Sequence, residues 1–168
     1  MFKIFFYHAN DTLGQASDRQ IFLGIAALYL KTYIDYNKKN IADKIEWLVP
    51  VQQKMSDEEL IEKINQEKPD IFCTSHYLWN NNFISDQLQR IKPYVDKNIL
   101  FVAGGPSVDV NINDNFFQDN PAIDYALYGA GEVGFADLVE SIINNKKLLR
   151  INTSNIAWFD ADKNKKVI

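Results

Sequence analysis

Short runs of β-branched and aromatic residues alternate along the chain with longer stretches whose apolar positions recur at helical spacing. That alternation predicts an α/β fold, with a parallel sheet covered by helices on both faces. The first run, Lys3-Ile-Phe-Phe-Tyr7, has strand length and no polar alternation, so it reads as a strand buried on both sides. Residues 8–16 are turn-rich, and Ser17-Asp-Arg-Gln20 has the form of a capping box opening a long helix to Ile34. Ile45-Glu-Trp-Leu-Val49 reads as the second strand, ended by Pro50, and Ser56-Asp-Glu-Glu59 as a second capping box opening a helix to about Gln66. The third strand is Ile71-Phe-Cys-Thr-Ser75, followed by an asparagine-rich loop and a helix from about Phe83 to Ile91. The fourth, Ile99-Leu-Phe-Val-Ala103, runs straight into Gly104-Gly105-Pro106, which demands a sharp turn. Ile123-Asp-Tyr-Ala-Leu-Tyr128 is the fifth. Gly129-Ala-Gly-Glu132 then leads into an amphipathic helix carrying Phe135, Leu138, Val139, Ile142 and Ile143. Asn155–Phe159 and Lys166–Ile168 flank a turn and read as a hairpin whose second arm stops with the chain, as if a longer protein continued from there. The division expected is an α/β domain over residues 1–150 and the start of a linker or hairpin over 151–168.

Composition narrows the setting. A chain of 168 residues with 46% apolar and 24% charged positions fits one folded domain and excludes collagen-like, disordered and coiled-coil classes. Its formal charge of −4 repels a phosphate backbone, so nucleic acid is not an expected partner. One cysteine, Cys73, forms no internal disulfide, and the first residues lack a secretory signal's apolar core and cleavage site. The longest apolar run, Ile25–Leu30, is far short of the ~20 residues a membrane span needs. A cytoplasmic location without a membrane partner is therefore expected.

In an open parallel sheet, ligands bind outside the carboxyl ends of the strands. The loops at that edge hold Ser75-His76-Tyr77-Leu78-Trp79-Asn80, Gly104-Gly105-Pro106-Ser107 and Gly129-Ala130-Gly131-Glu132. Glycine admits close backbone approach, and Tyr77 and Trp79 offer flat apolar faces, a combination suited to a large planar cofactor with a polar tail. Dinucleotide and P-loop fingerprints are absent, no acidic cluster ends the first strand to hold a magnesium ion, and no nucleophile elbow surrounds a serine. His8, alone at the end of a strand, reads first as a histidine hydrogen-bonded to backbone. Asn80, Asn81 and Asn82 directly precede a helix, so one of them is expected to serve only as its cap.

The ordered series Ser75-His-Tyr-Leu-Trp-Asn80, Phe101-Val-Ala-Gly-Gly-Pro-Ser-Val108, Pro121-Ala-Ile-Asp-Tyr125 and Gly129-Ala-Gly-Glu-Val-Gly-Phe135 resembles the amino-terminal cobalamin-binding domain of cobalamin-dependent radical S-adenosylmethionine (SAM) enzymes. The serine ending the third strand and the glycines ending the fourth stand at that family's interval, with twenty-six residues between Tyr77 and Gly104. The resemblance implies a doubly wound, five-stranded parallel sheet of flavodoxin-like, cobalamin-binding Rossmann type with a C-terminal hairpin extension. It implies that Ser75, Gly104 and Gly105 line the slot for the cofactor's nucleotide tail, and Pro106 and Ser107 of the same turn are counted with them as cofactor-binding candidates. Tyr77, Leu78, Trp79 and Asn80 would lie at or under the corrin face, with His76 of the same loop a further candidate for contact with the pocket, while Gly129, Gly131 and Glu132 would close it.

Two departures stand out. The Asp-x-His-x-x-Gly motif of many cobalamin domains, whose histidine ligates cobalt, is replaced by His8-Ala-Asn-Asp-Thr-Leu-Gly14, so no protein ligand to cobalt is assigned. Ala130 stands where the family commonly has glutamate. The resemblance also implies a [4Fe-4S] cluster and S-adenosylmethionine in the full-length parent, held by a downstream radical SAM domain. The single cysteine here does not supply the three that such a cluster requires. On that reading the chain itself is not the catalyst, and methyl transfer or ring-forming chemistry belongs downstream. Two other readings remain open at this stage. A non-catalytic interaction domain of the same fold would fill its groove with Tyr77 and Trp79, and a flavin-binding electron carrier would use the same edge.

Overall fold

Because each inner strand is apolar at nearly every position, both faces of the sheet must be covered. The computed structural model, which describes residues 1–10, 25–108, 110, 115–145, 155–160 and 165–167, shows how. Its elements in chain order are β1 (Phe2–Asn10), α1 (Ala26–Asn37), α2 (Lys39–Ala42), β2 (Ile45–Trp47), β3 (Val51–Gln53), α3 (Asp57–Glu67), β4 (Ile71–Ser75), α4 (Asn81–Ile91), β5 (Leu100–Gly104), α5 (Phe116–Asp119), β6 (Tyr125–Leu127), α6 (Glu132–Ile143), β7 (Ile156–Asp160) and β8 (Lys165–Val167). The strands lie in the order β2, β1, β4, β5, β6, β7, β8, with β3 also paired to β1. All pairings from β2 and β3 through to β6 are parallel, whereas β7 and β8 add on antiparallel. With β2 and β3 counted as one interrupted strand, this is the flavodoxin-like order 2-1-3-4-5 extended by a hairpin, as expected from the sequence.

Alternate residues of each strand enter different cores. Phe5, Tyr7, Phe72 and Phe101 pack with Leu60 and Ile64 of α3 and Ile84, Leu88 and Ile91 of α4. Ile4, Phe6, Cys73, Val102 and Leu127 pack with Leu30 and Ile34 of α1 and Phe135, Leu138 and Val139 of α6. Ile156 and Ala157 of β7 are buried in these same cores, one on each face, so the hairpin is part of the packed sheet. Lys38, just past α1, is paired with Asp137 at 2.8 Å and Glu140 at 2.6 Å, tying the end of α1 to α6. Burial by itself would lower the Lys38 pKa, but its hydrogen bonds to those two carboxylates raise it above the ordinary lysine range.

The structure refines several boundaries. The second strand is broken at Leu48-Val49-Pro50, where proline has no N–H to give the ladder, and its two halves pair with β1 at different levels. β1 itself runs three residues past Tyr7, passing Ala9 at a φ of 47° where the register with β3 shifts. The Ser56 capping box is present in both directions. Ser56 Oγ accepts from the Glu59 N–H at 3.2 Å, and Glu59 Oε2 accepts from the Ser56 N–H at 2.8 Å. The Ser17 box, and the helix start expected there, lie outside the described residues. The four-residue α5, which buries Phe116 and Phe117, is too short to leave a periodic signal.

A buried polar link joins the first core to the loop after β3. The Tyr7 hydroxyl donates to Gln87 Oε1 at 2.9 Å and accepts from the Met55 N–H at 3.1 Å, while Gln87 Nε2 donates to the Met55 carbonyl and to Asp57. Replacing Tyr7 by phenylalanine leaves two buried groups without that partner. The expected loss is about 1–3 kcal/mol of stability in urea unfolding, with the fold retained.

Candidate functional site

Two glycine-bearing turns, the loop after β4 and the amino-terminal ends of two helices meet at the carboxyl edge of the sheet. They enclose a cavity of about 270 Å³ on the α1/α6 face. Phe6, Cys73, Val102 and Leu127 lie along the sheet side, Ala26, Tyr29 and Leu30 supply α1, and Glu132 opens α6. Of the residues singled out from the sequence, Ser75, Tyr77, Gly104, Gly105, Gly129, Gly131 and Glu132 all line this cavity.

The rim is shaped by a close backbone crossing. Ser75 and Gly104, the last residues of β4 and β5, are register partners, and just beyond them His76 N–H donates to the Gly104 carbonyl at 2.7 Å. The Ser107 N–H returns to the His76 carbonyl at 3.1 Å. Between these bonds Gly105 sits at a φ of 109°, and a Cβ there would stand 2.5 Å from the His76 carbonyl oxygen. Only glycine fits. Gly104 is different. A Cβ on it would meet nothing closer than Leu127 at 3.6 Å, so the missing side chain at that position leaves open space in the cavity rather than relieving a clash.

The remaining sequence candidates do not line the cavity. His76 is 1% exposed, and its Nε2 and Nδ1 lie 3.0 Å from Thr74 Oγ1 and Asn81 Oδ1 respectively. The Asn81 oxygen requires Nδ1 to carry the proton, leaving Nε2 to accept from the threonine hydroxyl. Burial lowers the His76 pKa, opposed by the Asn81 hydrogen bond. Asn80 is equally buried. Its amide donates to the carbonyls of His8 at 2.8 Å and Ser75 at 3.1 Å, and its oxygen accepts from the Tyr77 N–H at 2.7 Å. It therefore fastens the ends of β1 and β4 together, and its side chain makes no capping bond to α4. Trp79 stacks on Tyr77, with ring centroids 4.6 Å apart and planes within 7°, and is half exposed. Leu78 is 93% exposed and Pro106 is exposed. Ser107 is half-buried, with its hydroxyl unpartnered among the described residues. Neither aromatic ring fills the cavity, since Tyr77 forms part of its wall and Trp79 stands outside.

Sequence reasoning missed the sheet side of the cavity and the α1 wall. Phe6, Cys73 and Val102 could have been found by counting two or more positions back from the rim along the same strand face, and Tyr29 and Leu30 by following the helix period. His8 departs from its first reading. Its ring nitrogens have no hydrogen-bond partner among the described residues, and burial lowers its pKa to about 4.

The fold and rim define a doubly wound α/β domain with a ligand cleft where its strands end. No protein-family model matches the chain. It is 31% identical over 126 residues, 74% of its length, to the cobalamin-dependent radical SAM methyltransferase TokK of Streptomyces tokunonensis. It is 28% identical over 131 residues to the 2-(S-pantetheinyl)-carbapenam-3-carboxylate methyltransferase of Streptantibioticus cattleyicolor. The matched segment is 18% of the length of each relative. Among solved structures, the cobalamin-dependent S-adenosylmethionine radical enzyme OxsB with aqua-cobalamin bound superposes on 99% of this chain with a TM-score of 0.68 and 15% identity, over 22% of its own length. The chain thus matches one part of proteins described as cobalamin-dependent radical SAM enzymes.

Two outcomes are expected from this geometry. Gly105→Ala forces the crossing apart and lowers the melting temperature by several degrees, the equivalent of roughly 1–3 kcal/mol, in a thermal scan. The second concerns acid. A histidine whose folded pKa lies below its unfolded value binds more protons when unfolded, so stability is complete above about pH 6.5 and falls as pH drops towards 4. Urea unfolding at pH 7 and pH 4.5 should show a loss on the order of 2–3 kcal/mol from His8, largely removed by His8→Phe.

Proposed function

We propose that this chain binds cobalamin at its carboxyl-edge cavity and serves as the cobalamin-binding module of a radical SAM enzyme, with the [4Fe-4S] cluster and S-adenosylmethionine held elsewhere in that enzyme. The observation that carries this reading is the glycine-bordered cavity, in particular the open space at Gly104. Its volume of about 270 Å³ suits a flat heterocycle with its sugar, and is smaller than the ~300–1,000 Å³ usual for sites that enclose whole drug-sized ligands. The nucleotide tail therefore enters between Ser75, Gly104, Gly105 and Gly129, while the corrin stays outside, over the rim. The stacked Tyr77 and Trp79 pair supplies a flat apolar surface beside that rim.

Bound cobalamin supplies a cobalt centre able to carry a methyl group. The chain's own part is to bind and orient. The Ser75 hydroxyl and Glu132 offer polar contacts at the mouth, and Phe6, Val102 and Leu127 exclude water from the floor. His76, committed on both nitrogens to Thr74 and Asn81, is not free to ligate cobalt. Its task is to hold the loop beneath Gly105 in shape.

Hydroxocobalamin added to the purified protein should give a saturable change in the visible spectrum and pigment that co-elutes on gel filtration. Gly104→Val, whose Cβ meets only Leu127, fills the cavity without disturbing the strand. It should weaken binding roughly tenfold or more while leaving the melting temperature within a few degrees. A wild-type protein that retains no pigment overturns the reading.

A further inference from the structure

His8 stands beside the cavity with hydrogen-bonding capacity that the folded chain leaves unused. Its ring stacks on that of Phe6, with centroids 6.1 Å apart and planes within 17°, so both side chains rise from the same face of β1. Phe6 lines the cavity. Across the sheet, Phe6 is paired with Cys73 and Tyr7 with Thr74, so the next position along, His8, falls beside Ser75. Asn80 bonds to the carbonyls of both His8 and Ser75, which fixes that adjacency. Cys73 and Ser75 are likewise lining residues, and His8 is thus flanked by the cavity wall along its own strand and across to the next.

The ring is 1% exposed, and neither Nδ1 nor Nε2 has a hydrogen-bond partner among the described residues. Buried polar atoms are ordinarily paired, as both nitrogens of nearby His76 are. A position that needed only an aromatic ring against Phe6 would be served as well by phenylalanine, without the cost of two unpartnered nitrogens. The imidazole is neutral at physiological pH, since burial holds its pKa to about 4, and so presents one N–H donor and one lone pair. That pair of functions matches a sugar hydroxyl, which also donates and accepts.

We propose that His8 is a cofactor-contacting residue whose imidazole hydrogen-bonds the ribose of the cobalamin nucleotide tail on the β1 side of the cavity, level with Ser75. The inference rests on the cobalamin reading of that cavity. It adds a contact from β1, the strand at which the rim candidates chosen from the sequence had no member.

The test uses His8→Phe and His8→Gln, each titrated with hydroxocobalamin and with cobinamide, the corrinoid that lacks the nucleotide tail. His8→Phe should melt no lower than wild type at pH 7 and bind hydroxocobalamin about tenfold more weakly, with cobinamide affinity unchanged. His8→Gln keeps a donor and an acceptor, and should recover affinity to within about threefold of wild type. If His8→Phe fails to fold, weaker hydroxocobalamin binding by His8→Ala, with cobinamide unaffected, supports the same contact. Wild-type affinity in His8→Phe, or an equal loss for both corrinoids, overturns the inference while leaving cobalamin binding intact. No binding by the wild-type protein overturns both.

Discussion

The site depends on one backbone crossing. β4 and β5 end in register at Ser75 and Gly104, and the chains leaving them are laced together by the His76–Gly104 and Ser107–His76 hydrogen bonds. This crossing holds the two loops low over the sheet, and it is possible only because Gly105 has no side chain to strike the His76 carbonyl. The polar residues around it are there largely to keep it closed. Thr74 and Asn81 orient the His76 ring from either side, and Asn80 ties the β1 and β4 ends to the loop. A loop that looked from the sequence like a row of ligand contacts is in good part a brace for two glycines.

Much of the fold was legible because its signals are local. Strand-length apolar runs, the Ser56 capping box and the abrupt Gly104-Gly105 turn each announce themselves within a few residues. The break in the second strand was half legible, since Pro50 was read as an end and turned out to be an interruption between β2 and β3. The cavity was legible at its rim and not along its floor. Strands buried on both sides lose the alternation that would separate Phe6, Cys73 and Val102 from their neighbours on the opposite face. The roles of His76 and Asn80 were hidden for a different reason. A buried polar side chain and a ligand-binding one look alike until their partners, some of them seventy residues away in the chain, are seen.

Fold and sequence also carry different weights here. Doubly wound sheets with ligands at their carboxyl edge serve many unrelated chemistries, so the superposition on OxsB speaks to architecture. The alignment with TokK points to a narrower group, although it covers under a fifth of that enzyme. What connects the two is the geometry of the edge itself, where glycines, a helix start and a pair of stacked rings converge on one small apolar space.

The interruption at Pro50 has a bearing on how the molecule keeps to itself. β2 and β3 form the outer margin of the sheet on the β1 side, and each is three residues long, set at a different level and separated by Leu48-Val49-Pro50, the last of which has no amide hydrogen. An unpaired strand margin ordinarily invites addition of a strand from another molecule, and such addition needs an unbroken row of donors and acceptors. This border offers only short, staggered stretches, so one flank of the sheet is guarded against intermolecular β-pairing by its own backbone.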